Sequence, residues 1–163
     1  NAKGLFNVPH GRYAKPMICN EETIRADADL LQRVEIMNND FAATEVFADE
    51  HTFFYFDPPY KPLNDTSSFN SYVKERFDDA EQIRLKDFCT RVASKGSKFI
   101  LSNSDVRSVN PANNFFDNLY SEYIIHRVMA TRMVNSKANK RGKLTELMIS
   151  NVKEVAIPNL FNI

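Results

Sequence analysis

His51-Thr52-Phe53-Phe54-Tyr55-Phe56-Asp57-Pro58-Pro59-Tyr60 is the stretch of this 163-residue chain whose reading decides the fold. Its first six residues are aromatic almost throughout, which predicts a strand buried on both faces, as in a largely parallel sheet. Pro58 ends that strand. Two consecutive prolines fix the backbone and remove two N–H donors, so the turn offers carbonyls, a carboxylate and a phenol ring with little freedom. In open α/β sheets the carboxyl edge of the strands is where ligands bind.

Upstream, Gly4, Pro9, Gly11 and Pro16 interrupt residues 1–16 too often for a helix. Asn20 is placed to cap a helix with two acids in its first turn and with Ile24, Ala28, Leu31 and Val34 at helical spacing. A short strand is expected over Val34 to Met37. Downstream, residues 61–78 are polar and irregular, a long connection of the kind that forms active-site lids. Asp79 to Ser94 predicts a helix with Ile83, Phe88 and Val92 on one face, stopped by Gly96. Lys98 to Leu101 predicts a strand running into Ser102-Asn103-Ser104-Asp105, and Phe115 to Tyr120 a short helix. Tyr123 to Ala130 and Leu144 to Asn151 predict two strands that pair antiparallel. The alternation gives an α/β fold, a mixed parallel sheet with a final antiparallel strand pair.

Hydrophobic content of 43% excludes a disordered chain, and no run of 18 apolar residues is present to span a membrane. Cys19 and Cys89 lack paired spacing and read as reduced thiols of an intracellular protein. His10, His51 and His126 show no ligand spacing, so no metal site is expected. No Ser or Cys stands in a recognisable nucleophile motif. The chain opens on Asn1 with no basic region leading into an apolar stretch, so no secretory signal is expected in it.

The 21 basic and 21 acidic residues cancel overall but are not mixed. Lys3, Arg12 and Lys15 stand without an acid in residues 1–16, and residues 20–60 hold ten acids against Arg25 and Arg33. Residues 127–143 carry Arg127, Arg132, Lys137, Lys140, Arg141 and Lys143 with no acid. Two basic blocks flanking an acidic one can seat a polyanion, although such runs also occur as plain solvated faces.

The Asp57–Tyr60 turn suits an exocyclic amine. Its two hydrogens can donate to the Asp57 carboxylate and the Pro58 carbonyl while Tyr60 stacks on the ring, aiming the nitrogen lone pair outward. A methyl group held in line is then open to direct displacement, without a covalent enzyme intermediate.

Together with other segments, the turn makes the chain resemble the Dam-type adenine-N6 DNA methyltransferases, the DPPY family that uses S-adenosylmethionine. Asn7 to Tyr13 (NVPHGRY) looks like the end of that family's recognition hairpin, and Asp40-Phe41, 17 residues before Asp57, like its cofactor-adenine motif. Pro62-Leu63, Thr66 to Phe69, Ser102-Asn103 with Asp105, and Arg132 to Ile149 follow in the family's order. The resemblance implies a Rossmann-like methyltransferase sheet, here its C-terminal part. Residues 1–19 would be the remnant of the hairpin and 20–163 the C-terminal part of the catalytic domain.

It further implies methyl transfer from S-adenosylmethionine to N6 of a flipped adenine in double-stranded DNA, in a GATC-like site. Asp57, Pro58, Pro59 and Tyr60 would hold the adenine. Asp40, Phe41 and Asp57 would bind the cofactor, and Pro9, Arg12, Lys137, Lys140, Arg141 and Lys143 the DNA. No metal is needed. A cytoplasmic setting in a prokaryote, or a phage origin, follows, as does a link to restriction–modification. RNA adenine methylation, a silent DNA-binding piece and a purely structural fragment are the alternatives.

The chain departs from the family in one respect. Gly4, Gly11, Gly96 and Gly142 are never close enough to form the Gly-rich cofactor turn. The family places that turn upstream, so the expectation is a C-terminal portion that is inactive alone. Its partner would be the missing N-terminal part of its own polypeptide, and the strand before Asp57 would expose an unpaired apolar edge.

Overall fold

The computed structural model describes residues 19–63, 77–131 and 143–152. The chain divides into two compact units, Asn1–Asn39 and Asp40–Ile163. In the first, helix α1 spans Glu21–Leu31, and the Asn20 side chain accepts the Thr23 N–H at 3.3 Å, the expected cap. The apolar residues of its periodic stripe, Ile24, Leu31 and Val34 among them, are exposed. The strand expected at Val34 to Met37 does not form. Those residues are irregular and exposed, and among the described residues no strand pairs with them to reward their β propensity.

In the second unit, a 3-10 helix over Phe41–Phe47 precedes strand β1, Phe53–Phe56. Helix α2 (Asp79–Ser94) and strand β2 (Lys98–Ser104) follow. A 3-10 turn at Val106–Ser108, helix α3 (Phe115–Leu119), and strands β3 (Ile124–Thr131) and β4 (Lys143–Ser150) complete it. The sheet order is β1-β2-β4-β3. β1 and β2 are parallel, and β4 lies antiparallel to both β2 and β3. This is the expected mixed sheet with its final antiparallel pair.

Helix α2 starts where Asp78 accepts the N–H groups of Ala80 and Glu81 and ends at Gly96, whose φ of 93° suits only glycine without strain. A Cβ there would also come within 3.1 Å of Glu50. The helix buries Leu85, Phe88, Cys89 and Val92, the i, i+3, i+4, i+7 stripe. Ile83, expected on that face, points outward. Phe88 is fully buried, with its ring 5.4 Å from Phe41, 6.0 Å from Phe54 and 5.9 Å from Phe56, edge-on to each. Phe99, Leu101, Leu147 and Ile149 complete the sheet side of this core.

The prediction that β1 is buried on both faces is half right. Phe54 and Phe56 stack with each other and pack inward, whereas Phe53 and Tyr55 are 56% and 63% exposed. The run obeys the period-2 alternation of a strand with one covered face, which an all-aromatic sequence conceals. Among the described residues β1 also forms one edge of the four-stranded sheet.

Candidate active site

The site is built where β1 stops and β2 does not. Phe56, the last residue of β1, pairs with Leu101, and β2 continues as far as Ser104. The overhanging residues Ser102, Asn103 and Ser104 therefore lie beside the Asp57–Lys61 turn and bond to it. The Ser102 hydroxyl donates to Asp57 Oδ1 at 2.9 Å. Asn103 Oδ1 accepts the Lys61 N–H at 3.0 Å, and the Ser104 hydroxyl donates to the Lys61 carbonyl. From α2, Gln82 Nε2 donates to the Pro59 carbonyl at 3.1 Å. The Lys61 ammonium pairs with Asp79 and lies 4.5 Å from the centre of the Phe115 ring.

Asp57 and Pro59 are exposed, while Pro58 and Tyr60 are half-buried. Burial pushes the Tyr60 phenol above its ordinary value; a hydrogen bond with Ser102 opposes this, and the Glu146 and Asp57 charges reinforce it. The ring is thus a neutral, flat surface beside an exposed carboxylate. Such a pair can accept an N–H and stack a heteroaromatic ring.

Asp40 and Phe41 form a second cluster, at the start of the 3-10 helix. The Asp40 side chain accepts the Ala42 N–H at 2.9 Å. Arg84 of α2 grips the same carboxylate with both terminal nitrogens, at 3.0 and 2.7 Å, and its guanidinium carbon lies 4.1 Å from the centre of the Phe41 ring. The Arg84 hydrogen bond, helped by the Ala42 N–H, holds the Asp40 carboxyl down at about 2. The aromatic contacts of Phe88 with Phe41, Phe54 and Phe56 tie this cluster to the strand that leads into the turn.

The structure thus brings Asp57 to Tyr60 together as one turn and sets Asp40 and Phe41 beside α2. Pro9, Arg12, Lys137, Lys140 and Arg141 lie outside the described residues, and of Lys143 only the backbone, at the start of β4, is described. Arg127, which opens the basic block, is directed to carboxylates instead. Its Nε donates to the buried Asp105 at 3.1 Å and its Nη2 to both oxygens of Asp117 at 2.8 Å. Thr145 donates to Asp105 as well, so this cluster joins β3, β4 and the turn after β2.

Gln82 and Arg84 escaped the sequence reading. A Gln or Arg on a helix is ordinarily a surface residue, and no local pattern marks these two. Among the described residues, no group of three or more His, Cys, Asp or Glu side chains is arranged to hold a metal ion, and no helix is long and apolar enough to cross a membrane.

Residues 1–134 match the family model of D12 class N6 adenine-specific DNA methyltransferases. The type II methyltransferase M.MjaIII of Methanocaldococcus jannaschii is 45% identical over 93% of this chain and 50% of its own length. M1.LlaDCHI of Lactococcus lactis subsp. cremoris is 39% identical over 93% of the chain and 51% of its own. A DNA adenine methylase of Vibrio cholerae is 31% identical over 91% and 51%. The chain spans about half the length of these curated relatives.

Proposed function

Because the chain belongs to the D12 class of N6 adenine-specific DNA methyltransferases, we propose that the full-length protein moves a methyl group from S-adenosylmethionine to N6 of a flipped adenine in double-stranded DNA. The observation that carries the proposal is the Asp57-Pro58-Pro59-Tyr60 turn, which stands at the carboxyl end of β1 with its carboxylate exposed and its backbone held from β2 and α2. An adenine amine donates one hydrogen to Asp57 and the other to the Pro58 carbonyl, and Tyr60 stacks on the purine. The amine is thereby oriented with its lone pair facing away from the turn. Unstacking the base costs a few kcal/mol, offset by these contacts in the pocket.

Asp40 and Phe41 offer what the cofactor's adenine can use, an ionised acceptor for its amine next to an aromatic ring on which it can stack. Arg84 covers one face of that ring, so a purine uses the opposite face or displaces the guanidinium. Asp57 serves the methionine end. S-adenosylmethionine, when bound, supplies the electrophilic methyl group.

Residues 1–19 are assigned to a recognition hairpin, with Pro9 on a base and Arg12 near the backbone. Lys137, Lys140, Arg141 and Lys143 lie along the duplex, each phosphate contact adding about −0.9 to the salt slope. The test is transfer of labelled methyl from S-adenosylmethionine by the full-length protein to duplex DNA and to RNA, with nucleoside analysis of the product. N6-methyladenine in DNA is expected; label confined to RNA, or found on cytosine, contradicts the proposal.

A further inference from the structure

Gln82 and Asn103 are both fully buried, although amide side chains are mostly found at surfaces. They bond to each other, Asn103 Nδ2 donating to Gln82 Oε1 at 3.2 Å. Each also bonds to the Asp57–Lys61 turn. The polarity of this pair is dictated at one end. Asn103 Oδ1 accepts two backbone N–H groups, those of Lys61 at 3.0 Å and Ser104 at 2.9 Å, so its oxygen must face the turn and its NH2 must face Gln82. Gln82 must then turn its oxygen toward Asn103 and its NH2 toward the Pro59 carbonyl, where the 3.1 Å bond is found.

The relay is directional, and it selects among carbonyls. The turn contains two proline carbonyls side by side, those of Pro58 and Pro59. Gln82 occupies the second from inside the protein. Among the described residues no hydrogen bond takes up the first, which is the carbonyl to which the proposed reading assigns the substrate amine.

We propose that Gln82 is a positioning residue for methyl transfer, acting through the Pro59 carbonyl, with Asn103 fixing its orientation. The relay holds the turn so that Pro58, and not Pro59, presents its carbonyl beside the Asp57 carboxylate. This rests on the adenine reading of the site given above.

The test uses the full-length protein and three variants. Gln82→Met keeps the length of the side chain and removes its donor. Asn103→Asp keeps the acceptor for Lys61 and Ser104 but can no longer donate to Gln82, so Gln82 reverses and turns its oxygen on the Pro59 carbonyl. Leu85→Ala, at a buried position on the same helix, loses stability while leaving both amide side chains in place. Gln82→Met and Asn103→Asp are expected to lower kcat about 10- to 100-fold, the scale of a small misplacement of reacting groups. Affinities for S-adenosylmethionine and duplex are expected to stay within about threefold of wild type, and Leu85→Ala to keep its kcat despite a lower Tm.

Wild-type kcat in either amide variant overturns the proposal. So does a loss of kcat that merely follows Tm across all three variants. If Gln82→Met does not fold, Asn103→Asp decides alone, and if neither folds while Leu85→Ala does, the relay is a folding element and the proposal fails. A wild-type protein that methylates no adenine defeats the reading of the site itself, an outcome distinct from an active wild type with fully active variants.

Discussion

The Asp57–Lys61 turn and the Asp40–Phe41 pair are both anchored by α2, through Gln82 and Arg84 respectively, yet by opposite physical means. The backbone of the turn is held at Pro59 and Lys61 by uncharged hydrogen bonds from two fully buried amides that also bond to each other. Asp40 is held by an exposed bidentate ion pair. Buried amide bonds are unaffected by salt and costly to break, because an orphaned partner has no water to turn to. An exposed ion pair is screened, adds little to stability and is readily exchanged for another partner. On the proposed reading of the site, one helix therefore supports both a rigid place for the reacting atom and an exchangeable place for the cofactor's purine.

The comparison can be broken most forcefully at the turn. Asp57→Ala is expected to lower methyl transfer by at least about 10²- to 10³-fold in the full-length protein, the scale for removing a group aimed at the reacting centre. Duplex binding measured on the same samples should change little; an unchanged transfer rate removes Asp57 from the site. Phe88→Ala acts on both regions at once, since that ring touches Phe41 as well as Phe54 and Phe56. About 3–5 kcal/mol of stability should be lost in denaturant titration, and a loss below about 1 kcal/mol would show that the two regions do not share this core.

Smaller effects sharpen the contrast. Tyr60→Ala should lose ~1–3 kcal/mol of base stacking, read as weaker binding of a duplex with an unpaired target adenine. Wild-type affinity and kinetics would exclude the phenol from stacking. Arg84→Leu should leave Tm at neutral pH nearly unchanged but let the Asp40 pKa rise from about 2 toward its ordinary 3.8, visible in a carboxyl NMR titration. With the folded-state pKa depressed, the stabilisation from this pair is complete above about pH 4 and is lost as pH falls through about 2. An Asp40 titration that does not move in the variant would contradict the ion pair.

Much of the fold was legible because it was written in punctuation. Asp79 to Ser94 reads as a helix from the spacing of Phe88 and Val92 and the stop at Gly96, and the final strand pair from β-rich runs around a basic segment. The turn was legible because two prolines after an aromatic strand have few structural meanings. The rest was concealed for specific reasons. An unbroken aromatic run hides which face of β1 is covered, so Phe53 and Tyr55 were expected inside. Val34 to Met37 has β propensity but, among the described residues, no partner strand. Gln82 and Arg84 depend on what α2 packs against, which no spacing within the helix encodes, and Arg127 was counted with a basic block although Asp105 and Asp117 claim it.

The most direct test of the central claim is a structure of the full-length protein bound to duplex DNA carrying its target adenine. The account predicts the N6 amine within about 2.6–3.2 Å of both the Asp57 carboxylate and the Pro58 carbonyl, with Tyr60 stacked on the purine and Gln82 still on the Pro59 carbonyl. An adenine whose amine lies away from Asp57, or one that takes the Pro59 carbonyl from Gln82, would contradict it.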